Sequence, residues 1–305
     1  MPRSGGAAGD AHRADRRAAA HDRGPDLSEF ELGLGLQSDK AVEEYVAIGR
    51  RAEAAGFDVL SVFHDLFYQP AIFPLLMLAR ETERVRLGPG ALNPQTLHPV
   101  EIAGQTAALD LASGGRAYVG IVAGAWLDQV GLEDGRPLTR LREAVEIVRR
   151  LLAGDHSGFS GRRFSLAPGA GLAYPPLRSE VPIMIGTWRP RAARFAAGVA
   201  REVKIGGTAN PEMVRLMRRW IGEPGVGVVV GAVTVVDEDG AAARARAAVA
   251  TEMYLEVVGE LDPTLELRPG QLPPVEKFVL AGTPVDVARQ ARALLDAGAT
   301  RIEFG

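Results

Sequence analysis

Residues 87–99 read LGPGALNPQTLHP, and this stretch decides how the rest of the chain is read. A β-type run that starts near Arg84 meets Gly88, Pro89 and Gly90, recovers for Ala91 and Leu92, and stops at Asn93-Pro94. Glycine inside a strand marks a bulge or a close approach by a ligand or another backbone. Proline removes a ladder donor, so the strand cannot pair regularly along its length. Such a strand needs a deformed backbone, and deformed backbone concentrates at functional sites. The plainer reading of the same letters is a strand end closed by a Gly/Pro turn.

Working outward, further strands are predicted at 30–36, 58–63, 117–122, 182–185, 202–205, 226–236 and 301–304, making eight with 84–92. Helical periodicity falls between them, at 40–55, 71–82, 100–111, 138–152, 190–200, 211–221, 240–258 and 283–297. Strands alternating with helices argue for βαβ units on a parallel sheet. Eight such units in one domain over 29–305 match the size of an α/β (β/α)8 TIM barrel. In that fold the chemistry sits at the C-terminal ends of the strands, so strand ends are where candidates are sought. A Gly/Pro-containing region at 153–180 is long enough to cover or flank such a site, and a Pro-rich link follows at 263–274.

Composition narrows the function classes. The chain has 305 residues, is 47% hydrophobic and 24% charged, and carries a net charge of −3 with both signs interspersed. That is ordinary for a globular protein and lacks the basic face that nucleic-acid binding requires. With no cysteine there is no disulfide, thiolate metal site or Cys nucleophile, a usage that fits the reducing cytoplasm. No apolar run approaches the length of a membrane span. Residues 1–28 are rich in Ala, Arg, Gly and Asp and read as a disordered tail. Asp10, Asp15, Asp22 and Asp26 dilute the charge that a basic nucleic-acid arm would need.

His64-Asp65 ends the second strand, where a barrel places proton donors and acceptors. The structural alternative is a helix cap by Asp65 beside a partly exposed histidine. Residues 186–191, GTWRPR, end the fifth strand and open a helix with Pro190 at its first position. Gly186, Thr187, Arg189 and Arg191 there could hold a phosphate, or form a simple strand-to-helix turn. Gly206, Gly207 and Thr208 offer backbone at the end of the sixth strand. Trp126, after Gly124-Ala125, could stack on a flat ring or pack a lid. Gly33-x-Gly35 lacks the third glycine of a dinucleotide fingerprint, and Ser38 stands in its place. The five histidines are scattered, so no metal site is expected.

Together these segments resemble the luciferase-like monooxygenase superfamily, within it the group of deazaflavin-dependent oxidoreductases and methylenetetrahydromethanopterin reductase. The likeness runs from Phe30 to the end of the chain. It is carried by Ala55-Gly56-Phe57-Asp58, TERVRLGPGALNP at 82–94, Thr96 to Pro99, Leu109-Asp110, Ser113-Gly114-Gly115-Arg116, GIVAGAWL at 120–127, and segments 140–152, 182–191 and 281–284. The resemblance implies a barrel holding coenzyme F-420, or alternatively FMN, at its C-terminal face. It implies a non-prolyl cis peptide at Gly90–Ala91 that presses on the middle ring, and phosphate contacts at 186–191 and at Gly206-Gly207-Thr208. The activity implied is hydride transfer between F-420 and a small organic substrate (C=C, C=N or alcohol/carbonyl), in a homodimer. His64 or Asp65 would handle the proton, and Asn93, Gly124 and Trp126 would shape the pocket. The alternatives are an FMN-dependent monooxygenase and a flavin-binding barrel without turnover. Three departures stand out. His64-Asp65 reverses the common Asp-His order. Gly35 replaces an acid at the end of strand one. The chain stops at Gly305, so the last helix of the barrel is expected to be missing.

Overall fold

The computed structural model of the chain describes residues 30–132, 135–268 and 270–305; the tail expected at 1–28 lies outside them. Eight parallel strands form the wall in the order β3-β2-β1-β11-β9-β8-β7-β4. They are β1 (Glu31–Leu36), β2 (Val59–Val62), β3 (Arg86–Pro89), β4 (Val119–Val122), β7 (Ile183–Gly186), β8 (Glu202–Gly206), β9 (Gly227–Val236) and β11 (Arg301–Phe304). Between them run helices α1 (Val42–Ala54), α2 (Ile72–Glu81), α3 (Pro99–Ser113), α4 (Pro137–Leu152), α5 (Pro190–Ala196), α6 (Pro211–Ile221), α7 (Gly240–Leu261) and α8 (Pro284–Asp296). Five of these helices start on a proline, at residues 99, 137, 190, 211 and 284. Proline at the first helical position loses nothing, because that N–H has no intrahelical partner. Each of these prolines therefore marks where a βα loop ends and the outer wall begins.

The barrel closes at the strand that breaks itself. β3 and β4 share no continuous ladder; two single bridges, Leu87–Ala117 and Leu92–Ile121, join them. The four residues between those bridges bulge, and the Gly90–Ala91 peptide among them is cis. Pro89 has no donor to give, and Gly90 N–H turns instead to Val62 O of β2 (2.8 Å). The glycines answer to crowding: a Cβ on Gly120 of β4 would stand 2.2 Å from Pro89 O.

Two elements go beyond the sequence reading. β10 (Val279–Gly282) pairs with the second half of the ten-residue β9, so the segment after α7 returns to the sheet before α8 begins. The 153–180 region contains a small hairpin, β5 (Phe159–Ser160) with β6 (Ser165–Leu166). That region does not cover the site. It connects the end of a helix to the start of a strand, and therefore begins and ends at the N-terminal face of the barrel. Its hairpin lies on the outer wall. The Glu143 carboxylate of α4 accepts from the N–H groups of Arg162, Arg163 and Phe164 (2.8, 2.8 and 3.0 Å). Further along, Arg178 pairs with buried Asp110 of α3 (2.7 Å). A cleft of about 440 Å³ between the end of α4 and residues 172–179 belongs to this face and touches no candidate residue.

Candidate active site

The barrel interior is divided by two short strands with mirrored sequences. β8 reads Glu202-Val-Lys204-Ile-Gly206, and β11 with its next residue reads Arg301-Ile-Glu303-Phe-Gly305. Side chains two apart share a face, so each strand sends two opposite charges inward and then a glycine. The intervening β9 keeps the order Val229, then Gly231. A Cβ at Gly231 would stand 3.1 Å from Lys204 Cε, so the glycine lets Lys204 reach across to Glu303. These two form an ion pair that is almost fully buried. Ser61 Oγ donates to Glu303 Oε2 (2.6 Å) and lies 2.6 Å from the Tyr118 hydroxyl. One layer lower, the fully buried Arg301 holds Glu202 (3.1 Å) and lies against the Tyr118 ring. Arg86 pairs with Glu31 and reaches Glu202 (3.3 Å). Burial alone would raise the Glu303 carboxyl; Lys204 and Arg301 outweigh it and hold the carboxyl below its ordinary range. Burial, with Glu303 nearby, pushes the Tyr118 hydroxyl up, so it stays protonated. The plug is thus an internally neutralised floor.

Above the floor lies the Phe63 ring, whose Cζ would come 2.6 Å from a Cβ on Gly35 and 3.8 Å from one on Gly305. Lys204 Nζ lies 4.9 Å from the Phe63 ring centroid and would lie 3.1 Å from a Cβ on Gly90. A Cβ on Gly206 would meet nothing within 4 Å. The acid missing at Gly35 has a neighbour from another strand, since a Cβ there would lie 3.2 Å from Glu303 Oε1.

On the rim after β2, His64 Nδ1 accepts from Ala71 N–H at the start of α2 (3.2 Å). The neutral ring therefore carries its proton on Nε2. Burial lowers the His64 pKa, with partial compensation from the Asp65 charge. Asp65 does not cap this helix; His64 meets the backbone of its N-cap residue Ala71, and Asp65 is exposed. After β4, Gly124 has φ +103° and Trp126 φ +52°; Phe67, on the β2 loop, has φ +68°. Phe67 and Trp126 remain 79% and 41% exposed, although both are large and apolar. Asn93 is buried. Its Oδ1 accepts from Gln95 N–H (2.8 Å), and its amide lies under Gly124, where a Cβ would come within 2.4 Å of Nδ2. Asn93 therefore holds a turn, and the pocket-shaping role expected of it is not what its contacts show.

The two expected phosphate loops differ in what they leave available. At Gly206-Gly207-Thr208 the backbone is committed. Gly207 and Thr208 N–H both donate to Gly231 O (2.7 and 3.0 Å), and Ala209 N–H donates to Lys277 O (2.7 Å). Thr208 is fully buried. This turn cannot present its N–H groups to an anion, which corrects the expectation for Gly207 and Thr208. At 186–191, Thr187 Oγ1 accepts from Arg189 N–H (3.0 Å). Arg189 and Arg191 are exposed, and neither guanidinium has a partner among the described residues. Trp188 ties the two loops together, its Nε1 donating to Gly206 O (3.1 Å). The sequence reading missed Lys204, Glu303, Arg301 and Glu202, although the opposite charges two apart on two strands were the signal. It also missed Tyr254, discussed below.

Open space over Gly206 and two arginines on one rim, unpaired among the described residues, suit a flat ring with an anionic tail. Fold and site together define a parallel barrel made to hold a small molecule at the C-terminal ends of its strands. A family model described as Luciferase-like monooxygenase matches residues 26–301, and the chain belongs to that family. It is 27% identical to a 5,10-methylenetetrahydromethanopterin reductase from Methanolobus tindarius, with 90% of this chain and 93% of that protein covered. The Archaeoglobus fulgidus protein of the same name is 33% identical, but the match covers 59% of this chain and half of that protein. The structure of a coenzyme F420 dependent tetrahydromethanopterin reductase from Methanopyrus kandleri superposes with a TM-score of 0.80 at 23% identity. That match covers 90% of this chain and 93% of the other.

Proposed function

We propose that this protein is an oxidoreductase that passes a hydride between coenzyme F-420 and a small organic substrate with a polarised double bond or an alcohol. Relatives named as methylenetetrahydromethanopterin reductases support the reading. The single observation that carries it is the open space over Gly206 beside the rim that bears Arg189 and Arg191, neither paired among the described residues. When bound, F-420 supplies a two-electron carrier that reacts poorly with oxygen. The chain supplies the rest. Gly90, Ala91 and Gly206 would shape the mouth, while Arg189 and Arg191 would attract the anionic tail. His64, neutral and with its proton on Nε2, would donate a hydrogen bond that polarises the substrate oxygen or nitrogen, and the exposed Asp65 or water would exchange the proton. The second reading, an FMN-dependent monooxygenase, draws on the activity in the family's own name.

The reading further takes the enzyme as a cytoplasmic homodimer. Exposed Phe73 on α2 and Leu111 on the adjacent α3 are apolar side chains that a second copy would cover; light scattering of the purified protein decides the mass. Titration with oxidised and reduced F-420 and FMN, followed by fluorescence, tests the cofactor. F-420 should bind more tightly, and Arg189→Ala should weaken it about tenfold with no change in thermal stability. Preference for FMN would move the monooxygenase reading ahead.

A further inference from the structure

Tyr254 on α7 carries a hydroxyl that is buried and has no hydrogen-bond partner among the described residues. Leaving a buried hydroxyl unpaired is costly, and native structures rarely do so without a ligand, a water or a role. Its surroundings are apolar: Leu255, Val258 and Phe278, with Trp188 packed against the same cluster. Its ring lies beside the 206–208 turn, since a Cβ on Gly207 would come within 3.4 Å of Tyr254 Cε2. Gly207 has φ +73°, so a side chain is disfavoured there on two counts. Tyr254 therefore lies against the turn whose own N–H groups are spent, and shares an apolar cluster with Trp188 of the loop that carries Arg189 and Arg191. Burial raises its pKa, which keeps it a donor across the physiological range. Lys277 comes from the same neighbourhood, its Nζ 3.4 Å from Asn210 Oδ1. Asp262, which accepts from Asn210 Nδ2 (2.9 Å), is the opposing charge there.

We propose that the Tyr254 hydroxyl donates to the phosphate of the bound cofactor, taking the place of the backbone donors that the 206–208 turn commits to Gly231 and Lys277. The inference rests on the reading that a cofactor with a phosphate-bearing tail occupies the mouth. It goes beyond that reading by naming a donor from outside the βα loops. A phenol suits the task because it adds a hydrogen bond without adding charge, and charge is already supplied by the arginines.

Tyr254→Phe tests it, because the change removes one atom and leaves the packing. Affinities are measured for F-420 and for the same deazaflavin ring carrying only its ribityl chain, with no phosphate. The variant should bind F-420 about tenfold more weakly, bind the phosphate-free ring unchanged, and unfold at the same or a higher temperature. A higher temperature follows if an unpaired buried hydroxyl has been removed. Unchanged F-420 affinity, or equal losses for both ligands, overturns the proposal; the first result would assign the hydroxyl to a water. Should the wild type prefer FMN, the cofactor reading fails while this one is decided by FMN against riboflavin. Should it bind neither, inorganic phosphate is the probe. It should raise the melting temperature of the wild type more than that of Tyr254→Phe, and equal shifts overturn the proposal.

Discussion

The two ends of the barrel interior follow opposite rules. In the lower half nearly every polar atom is matched: Lys204 to Glu303, Glu303 to Ser61, Arg301 to Glu202, Arg86 to Glu31 and Glu202. Among the described residues, the buried atom left unpaired there is Arg301 Nε. In the upper half, groups are left open. Arg189 and Arg191 have no partner among the described residues, Gly206 faces space, and Phe67 and Trp126 hold apolar rings toward solvent on left-handed backbone. Left-handed φ in a bulky residue costs about 1–2 kcal/mol, and exposed aromatic surface forgoes burial. The difference teaches that the floor is built for the stability of the barrel and the mouth for a ligand. Substitutions should therefore sort by height in the barrel, with little regard for which strand bears them.

The sharpest test acts on the floor. Glu303→Gln removes a charge that two cations share and leaves Lys204 without its counter-ion. Removing one partner of a buried pair costs about 3–5 kcal/mol, so the melting temperature should fall steeply. Adding Lys204→Met to that variant should recover most of the loss, since replacing both partners of a buried pair is close to neutral. If Glu303→Gln left stability intact while abolishing cofactor binding, the division of labour between floor and mouth would be wrong.

The same substitution at two heights sharpens the contrast. Gly120→Ala would drive a methyl against Pro89 O, with Met184 Cε 2.8 Å away on the other side. It should destabilise by about 1–3 kcal/mol through overpacking. Gly206→Ala meets nothing within 4 Å. It should leave stability unchanged or gain a few tenths of a kcal/mol from the less flexible unfolded chain, while its methyl weakens F-420 binding. Denaturant midpoints and fluorescence titrations on the two variants separate these outcomes. Equal destabilisation by both would mean that the mouth is packed, not open.

What was legible in the sequence follows the same division. All eight wall strands were readable, because buried parallel strands are short apolar runs set off by prolines at helix starts, as at Pro211 and Pro284. β10 was not. Its four residues, Val279–Gly282, sit behind a Pro-rich link and find their partner only through the unusual length of β9. The bulge was legible because Gly-Pro-Gly forbids a regular ladder. The ionic floor was hidden, since no single strand shows why it carries charge; Glu202 and Lys204 make sense only when Arg301 and Glu303 face them across β9. The committed turn at 206–208 was hidden for a similar reason. Its N–H groups are used by Gly231 O and Lys277 O, contacts with no local signature. Covering of the site by 153–180 was misread because length alone does not say which face of the barrel a loop serves.

The smallest effect concerns His64, where rim and floor meet in one side chain. Its Nδ1 takes the Ala71 N–H at the start of α2, which leaves the proton of the neutral ring on Nε2. Burial lowers its pKa from the ordinary 6.5, and the sign of the consequence follows. Above pH 6.5 neither the folded nor the unfolded chain protonates this ring, so it contributes nothing to the pH dependence. As pH falls below 6.5 the unfolded chain takes up a proton that the folded one refuses, and stability declines until the lowered folded value is reached. One proton limits the slope to about 1.4 kcal/mol per pH unit. Thermal unfolding of the wild type and His64→Gln between pH 7.5 and 5 isolates this slope, because the carboxylates are common to both. The wild type should lose more stability than the variant over that interval. Parallel curves would mean that the histidine is solvated and free to titrate, which would remove both its bond to the Ala71 N–H and the reason to expect it neutral beside the substrate.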